Sequence, residues 1–241
     1  MAKYASVKTR PKIQEDTVYY NGKKTSHKKV KVGDKELDIY NGFQNPEAYE
    51  DYEYNGKVYK VRKDVRPGLE RLMAGAKAEG ITIPMSSSYR DYNGQVNSYK
   101  ESGGSGSAAT PGYSRHGFGE AFDFSDPRHP AKGKNVTKNY EITPTYKWLA
   151  ANAHKYGFIA PQEMYAGSKP EPWHYEYYSE YDPYTQQQQV VAQAVPDKPV
   201  PIQPSIIQPK QIDYGKTLAG QLAYAPIQLP QELPTLAYGG Q

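Results

Sequence analysis

Ser114-Arg115-His116-Gly117-Phe118-Gly119-Glu120-Ala121-Phe122-Asp123-Phe124-Ser125 decides how the rest of the chain is read. The glycines on either side of Phe118 suit a tight loop, and the residues after Glu120 alternate with the period of a β-strand. Phe122 and Phe124 then take the face that packs inward, while Ala121, Asp123 and Ser125 take the other. The strand presents a carboxylate beside a small Ala, with room for an ion, and His116 stands on the loop that leads into it.

Glu171-Pro172-Trp173-His174-Tyr175-Glu176-Tyr177-Tyr178 supplies the complement. Pro172 forbids a regular helix through this segment, so Glu171 and His174 meet across a turn entering a strand rather than along a helix face. On that strand His174 shares a face with Glu176 and Tyr178, and Trp173, Tyr175 and Tyr177 share the opposite one. Two imidazoles and a carboxylate, His116, Asp123 and His174, make a three-ligand set for one Zn²⁺ with the fourth tetrahedral position left for water. Glu171 is then the free carboxylate beside that water, placed to take its proton and pass it to a leaving amine. The other histidines have weaker contexts: His27 lies in a lysine-rich turn, His129 in a Pro-rich loop and His154 on a helix.

Two helices flank this pair of segments. Leu69, Leu72, Met73 and Ala76 fall at i, i+3, i+4 and i+7 after Arg66-Pro67, and Gly80 stands where a helix C-terminal glycine belongs. Thr143-Pro144 opens the second, with Tyr146, Leu149, Ala150 and Ala153 on one face and a stop near Gly157. Strands are expected at 81–83, 120–125 and 174–178. Upstream, Tyr-Asn-Gly recurs at Asn21, Asn41, Asn55 and Asn93, which is type I′ turn chemistry, and the alternating residues about Asn55-Gly56 predict a hairpin. The Gly/Ser run 102–107 lacks the Gly-Lys-Ser/Thr end of a phosphate loop and reads as a mobile flap before the metal loop. The fold class expected is α+β: a small antiparallel sheet with flanking helices carrying a single zinc site, a β-hairpin-rich region at 1–61, a catalytic domain at 62–184 and an extended tail at 185–241.

Composition limits the alternatives. With no Cys among 241 residues, disulfides, thiolate zinc sites and Cys nucleophiles are excluded. No run approaches the roughly 18 apolar residues of a membrane span. The net charge of +4 is small, and the basic excess in residues 1–66 is interleaved with acids, which predicts a solvated surface and no nucleic-acid partner. The tail holds 12 Gln and 8 Pro in 57 residues, too polar and too interrupted to bury a core, yet single apolar residues between the prolines could order on a partner protein. The first 30 residues contain no apolar signal region, so the expectation is a chain made in the cytoplasm without a secretion signal.

The ordered set Ser87-Ser88-Tyr89-Arg90, Gln95, Ser114-x-His116-x-x-Gly119-x-Ala121-x-Asp123, Tyr146-Lys147-Trp148-Leu149 and Glu171-x-Trp173-His174 resembles the zinc D-alanyl-D-alanine carboxypeptidase family over residues 62–180. That family includes vancomycin-resistance D,D-carboxypeptidases and phage L-alanyl-D-glutamate endopeptidases. The resemblance implies that His116, Asp123 and His174 bind Zn²⁺ and that Glu171 is the general base and acid. It implies that Arg90 binds a substrate carboxylate or the oxyanion, that Ser114 hydrogen-bonds near the metal loop or substrate, and that Gln95 orders the Arg90 turn. The activity implied is hydrolysis of peptidoglycan stem peptides, D-Ala-D-Ala carboxypeptidase in type, by attack of zinc-bound water. The alternatives are an L-Ala-D-Glu endopeptidase, or a virion structural or wall-binding protein that keeps the fold without catalysis. A chain of that kind would reach the wall after lysis, or as part of a phage particle docked through its tail.

Overall fold

A computed structural model describes residues 5–104, 108–126, 136–166 and 170–187. All of them belong to the first of two compact units, Met1–Asp197; the second, Lys198–Gln241, lies outside the described residues. The expected extended tail therefore falls outside them from residue 188 on, as do His129 and positions 105–107 of the expected flap.

The central sheet has five strands in the order β1-β9-β10-β8-β7. These are β1 (Val7–Lys8), β7 (Met85–Ser87), β8 (Ala121–Phe124), β9 (Phe158–Pro161) and β10 (His174–Tyr177). The sheet departs from the all-antiparallel expectation at one edge, where β1 runs parallel to β9. The first expected strand is also displaced. Residues 81–84 are not a strand: Gly80 turns the chain at φ 74°, Ile83 plugs the core at 1% exposure, and pairing with β8 begins only at Met85. Pro84 has no N–H to give a ladder, although its carbonyl accepts from Ser125 at 2.8 Å.

Helix α1 (Arg66–Ala78) lays Leu69, Leu72, Met73 and Ala76 on the sheet, as their spacing requires, and Gly68 lets it approach closely. A Cβ there would lie 2.5 Å from the Tyr177 ring. Phe122, Phe124, Tyr175 and Tyr177 meet this helix from the sheet, which fixes the opposite faces of β8 and β10 for Asp123 and His174. Each large side chain fully buried in this way contributes roughly 1.5–3 kcal/mol. Helix α4 (Pro144–Asn152) is capped by Thr143, whose Oγ1 accepts from Tyr146 N at 3.1 Å. Its Leu149 joins the same core, while Tyr146 and Ala150 pack on Tyr140 of α3 (Val136–Glu141).

The front of the chain forms a three-stranded sheet, β2 (Asp16–Tyr20), β3 (Lys23–Val32) and β4 (Lys35–Tyr40), and a hairpin, β5 (Tyr49–Tyr54) with β6 (Lys57–Arg62). Asn21-Gly22 and Asn55-Gly56 adopt the positive φ pairs of type I′ turns. The other two Asn-Gly pairs do not. At Asn41-Gly42 only the glycine has positive φ, and Asn93-Gly94 lies inside α2 (Tyr92–Glu101), where the Asp91 cap accepts from Gly94 N at 2.6 Å. A capping Asp overrides the turn preference of Asn-Gly. Among the described residues no helix is long and apolar enough to cross a membrane.

Candidate metal centre

Sheet register brings the first two polar groups together. His174 of β10 pairs directly with Asp123 of β8, and its Nδ1 lies 3.1 Å from Asp123 Oδ1. The third group arrives on the 3₁₀ turn Arg115–Phe118, which Gly119 closes in the left-handed conformation. His116 Nδ1 donates to the Ser88 carbonyl at 2.7 Å, which turns Nε2 toward Asp123 Oδ2 at 3.4 Å. The ligand-type atoms of His116, Asp123 and His174 lie within 4.8 Å of one another, a group able to hold one metal ion.

The donor chemistry passes a second check. An imidazole binds a metal through one nitrogen while the other donates to an oxygen that fixes the tautomer. His116 satisfies this through Ser88, and His174 does so through Nε2, 3.0 Å from Glu176 Oε1. Burial works against a charge on Asp123, but the flanking imidazoles outweigh it and hold the carboxyl well below its usual range. Burial likewise disfavours charge on His174, yet its hydrogen bonds to Asp123 and Glu176 push its pKa up to about 10. Positive charge is favoured at this point of the fold, which is the field a divalent cation would meet.

The remaining residues singled out in the sequence line the same cavity of about 660 Å³: Arg90, Gln95, Ser114 and Glu171 stand there with His116, Asp123 and His174. Arg90 Nη1 donates to Gln95 Oε1 at 2.9 Å, and Gln95 Nε2 in turn donates to the Ala109 carbonyl at 2.6 Å, so the fork is braced from α2. Arg90 Nη2 lies 4.0 Å from Asp123 Oδ2. Ser114, 5% exposed, precedes the 3₁₀ turn, and Asn41 Nδ2 donates to its carbonyl at 2.8 Å. Burial raises the pKa of Glu171, and the nearby Asp123 charge adds to that against the pull of His174, His116 and Arg90. Trp173 touches Tyr140 edge to face and also reaches the cavity wall.

Two contributors escape sequence reading in different degrees. Glu176 shares a strand face with His174 by simple alternation, so its contact was available from the pattern. Arg10 carries no such signal: it lies 166 residues away and reaches Glu176 through β1 docking beside β9. Of the other histidines, His27 pairs with Asp38 at 2.9 Å and His154 faces Ser6 at 3.3 Å, both away from the centre.

A small α+β domain with an N,N,O triad able to hold one metal ion, a half-buried carboxylate and a braced guanidinium about one cavity has a metallopeptidase-type arrangement. The chain belongs to the VanY D-alanyl-D-alanine carboxypeptidase family, which matches it over residues 58–180. YodJ of Bacillus subtilis (strain 168), assigned as a carboxypeptidase, is 30% identical over 140 residues, 53% of this chain and 50% of that protein. A D-alanyl-D-alanine carboxypeptidase of Enterococcus faecium is 29% identical over 172 residues, 68% of this chain and 54% of that protein. The chain thus spans about half the length of these curated relatives. Among solved structures, a variant of the vancomycin-resistance D,D-pentapeptidase VanY from the VanB-type cassette, in complex with Zn(II), is 26% identical with a TM-score of 0.37, covering 53% of this chain and 78% of that one.

Proposed function

We propose that this chain is a zinc-dependent D,D-carboxypeptidase that removes the terminal D-Ala from peptidoglycan stem peptides. The observation that carries the reading is the convergence of His116, Asp123, His174, Glu171 and Arg90 on one cavity from three separate stretches of chain. His116, Asp123 and His174 hold the ion. Zn²⁺ in such a site supplies Lewis acidity toward the scissile carbonyl and lowers the pKa of a water it holds to about 7.

The chain's own groups do the rest. Glu171 takes a proton from the attacking water and delivers it to the leaving amine nitrogen, a role that its raised pKa suits, since a base nearer neutrality exchanges protons in both directions. Arg90, braced by Gln95, pairs its guanidinium with the free C-terminal carboxylate and sets the scissile bond beside the triad. Ser114 on the cavity wall hydrogen-bonds the bound peptide.

Mass spectrometry of stem peptides after incubation tests the reading directly. Loss of one terminal D-Ala, blocked by chelator and by C-terminal amidation, is the expected result. Equal cleavage of free and amidated peptides, or a cut at L-Ala-D-Glu, would overturn the carboxypeptidase assignment.

A further inference from the structure

Arg10 grips Glu176 with two parallel bonds: Nε lies 2.8 Å from Oε2 and Nη2 lies 2.7 Å from Oε1. The same carboxylate accepts from His174 Nε2 at 3.0 Å and from the Tyr178 hydroxyl at 2.6 Å, and its side chain is fully buried. Each oxygen of Glu176 is thereby committed, and the residue cannot rotate without breaking the fork. We propose that Arg10 is a positioning residue for the metal centre: by locking Glu176 it fixes the tautomer and ring orientation of His174 and so sets how tightly the centre holds its ion.

This inference rests on reading His116, Asp123 and His174 as a zinc site, and it adds a part of the chain far from the motifs that define that site. A carboxylate that accepts the distal N–H of a metal-binding imidazole raises its basicity and fixes its direction. It does so only if the carboxylate itself is held. Tyr178 alone grips one oxygen, whereas the guanidinium fork matches both in one plane. Without Arg10, Glu176 would be a buried anion free to turn from His174 toward other donors.

Arg10 is also placed independently of the bond it makes. The segment before it is docked through its backbone: Ser6 N donates to Ala150 O at 3.0 Å, Ala160 N to Ser6 O at 2.7 Å and Gln162 N to Lys8 O at 3.0 Å. Removing the guanidinium therefore leaves these anchors in place, which separates its effect on the centre from a general loosening of the fold.

The test is a zinc competition titration against a chromophoric chelator on the full chain, comparing wild type with Arg10→Met, Arg10→Lys, Glu176→Gln and the Arg10→Met/Glu176→Gln double variant. Arg10→Met should raise the zinc dissociation constant about 10–100-fold. Arg10→Lys, which keeps the charge and loses the fork, should fall between it and wild type, and it carries the test should Arg10→Met fail to fold. Because Arg10 acts through Glu176, the double variant should bind zinc no more weakly than Glu176→Gln alone. Wild-type affinity in the single Arg10 variants, or a double-variant loss equal to the product of the two single losses, would overturn the proposal. A wild-type chain that binds no zinc would instead remove the metal assignment beneath it, a distinct outcome of the same titration.

Discussion

His174 and Asp123 face each other as direct cross-strand partners on β10 and β8, with 3.1 Å between Nδ1 and Oδ1. The strand pair that fixes this spacing also buries Phe122 and Tyr175 on its other side, so the packing of the core and the geometry of the centre share one register. A slip of one residue would turn Asp123 into the core and Phe122 into the cavity. His116 is set differently, by turn closure and by the bond of its Nδ1 to the Ser88 carbonyl.

Zinc binding should therefore be coupled to stability. The triad exists only in the folded chain, and an ion present at 100 times its dissociation constant stabilises by about 2.7 kcal/mol. Scanning calorimetry with zinc and with chelator should show a higher melting temperature for the zinc-loaded wild type and no zinc response for Asp123→Ala. A wild-type transition indifferent to zinc would contradict the site.

Replacing Glu171 by Gln should lower kcat by about 10²–10⁴-fold while one zinc per chain is retained, as read by elemental analysis beside steady-state rates. Burial lifts the Glu171 pKa above its ordinary value. The ionised form needed for proton uptake is then lost as pH falls through that raised value. In the metal-free chain the Glu171 carboxyl should accordingly titrate above about pH 4.3, the ordinary value for Glu, as read by carboxyl NMR, and a titration at or below it would count against the burial of this group.

The sequence makes the core of this arrangement legible because strand alternation is a local rule. Phe122 and Phe124 point Asp123 outward, and Pro172 forces His174 into a strand, without any knowledge of what lies beside them. Helix α2 escapes the same reading because its only fully buried side chain is Gln95, so it carries no apolar stripe. Arg10 escapes because its partner is fixed by β1 joining the sheet edge, and a two-residue strand leaves no periodic trace. The Asn41-Gly42 pair looks like hairpin chemistry and instead docks against the metal loop, with Gly42 N donating to Gly117 O at 2.8 Å.

That docking gives Gly117 a steric role. A Cβ at Gly117 would lie 2.0 Å from Asn41 Oδ1 and 2.9 Å from Gly42 N, the second being backbone that cannot swing aside. Gly117→Ala should cost about 1–3 kcal/mol through overpacking, read from urea unfolding. It should also weaken zinc binding, because the displaced turn carries His116. Retention of both stability and affinity would show that the front sheet does not brace the loop.

Glu120 offers a stability test separate from the metal. Its carboxylate is 1% exposed and is ringed by Lys28, by Arg115 at 3.1 Å and by Arg62 at 3.5 Å, tying β3, β6 and the metal loop together. Burial alone would raise its pKa, but the three cations outweigh it and hold the value below the usual range. A folded-state pKa lower than the unfolded one means that the unfolded chain binds the proton first as pH falls. The stabilisation is thus present above about pH 4.3 and is lost as pH drops through the depressed folded value, at up to about 1.4 kcal/mol per pH unit. Glu120→Gln removes the anion and leaves the buried Lys28 and Arg62 and the half-buried Arg115 without it, so at pH 7 it should destabilise by roughly 3–5 kcal/mol. Other carboxylates titrate in the same range, and the difference between wild type and variant isolates this one. Urea unfolding between pH 5 and pH 3 should show the wild type losing stability more steeply than Glu120→Gln, so that the gap between them narrows in acid. Parallel pH profiles would mean that the native fold leaves the Glu120 pKa at its unfolded value, with the cations balanced by Asp64 and Glu15 instead.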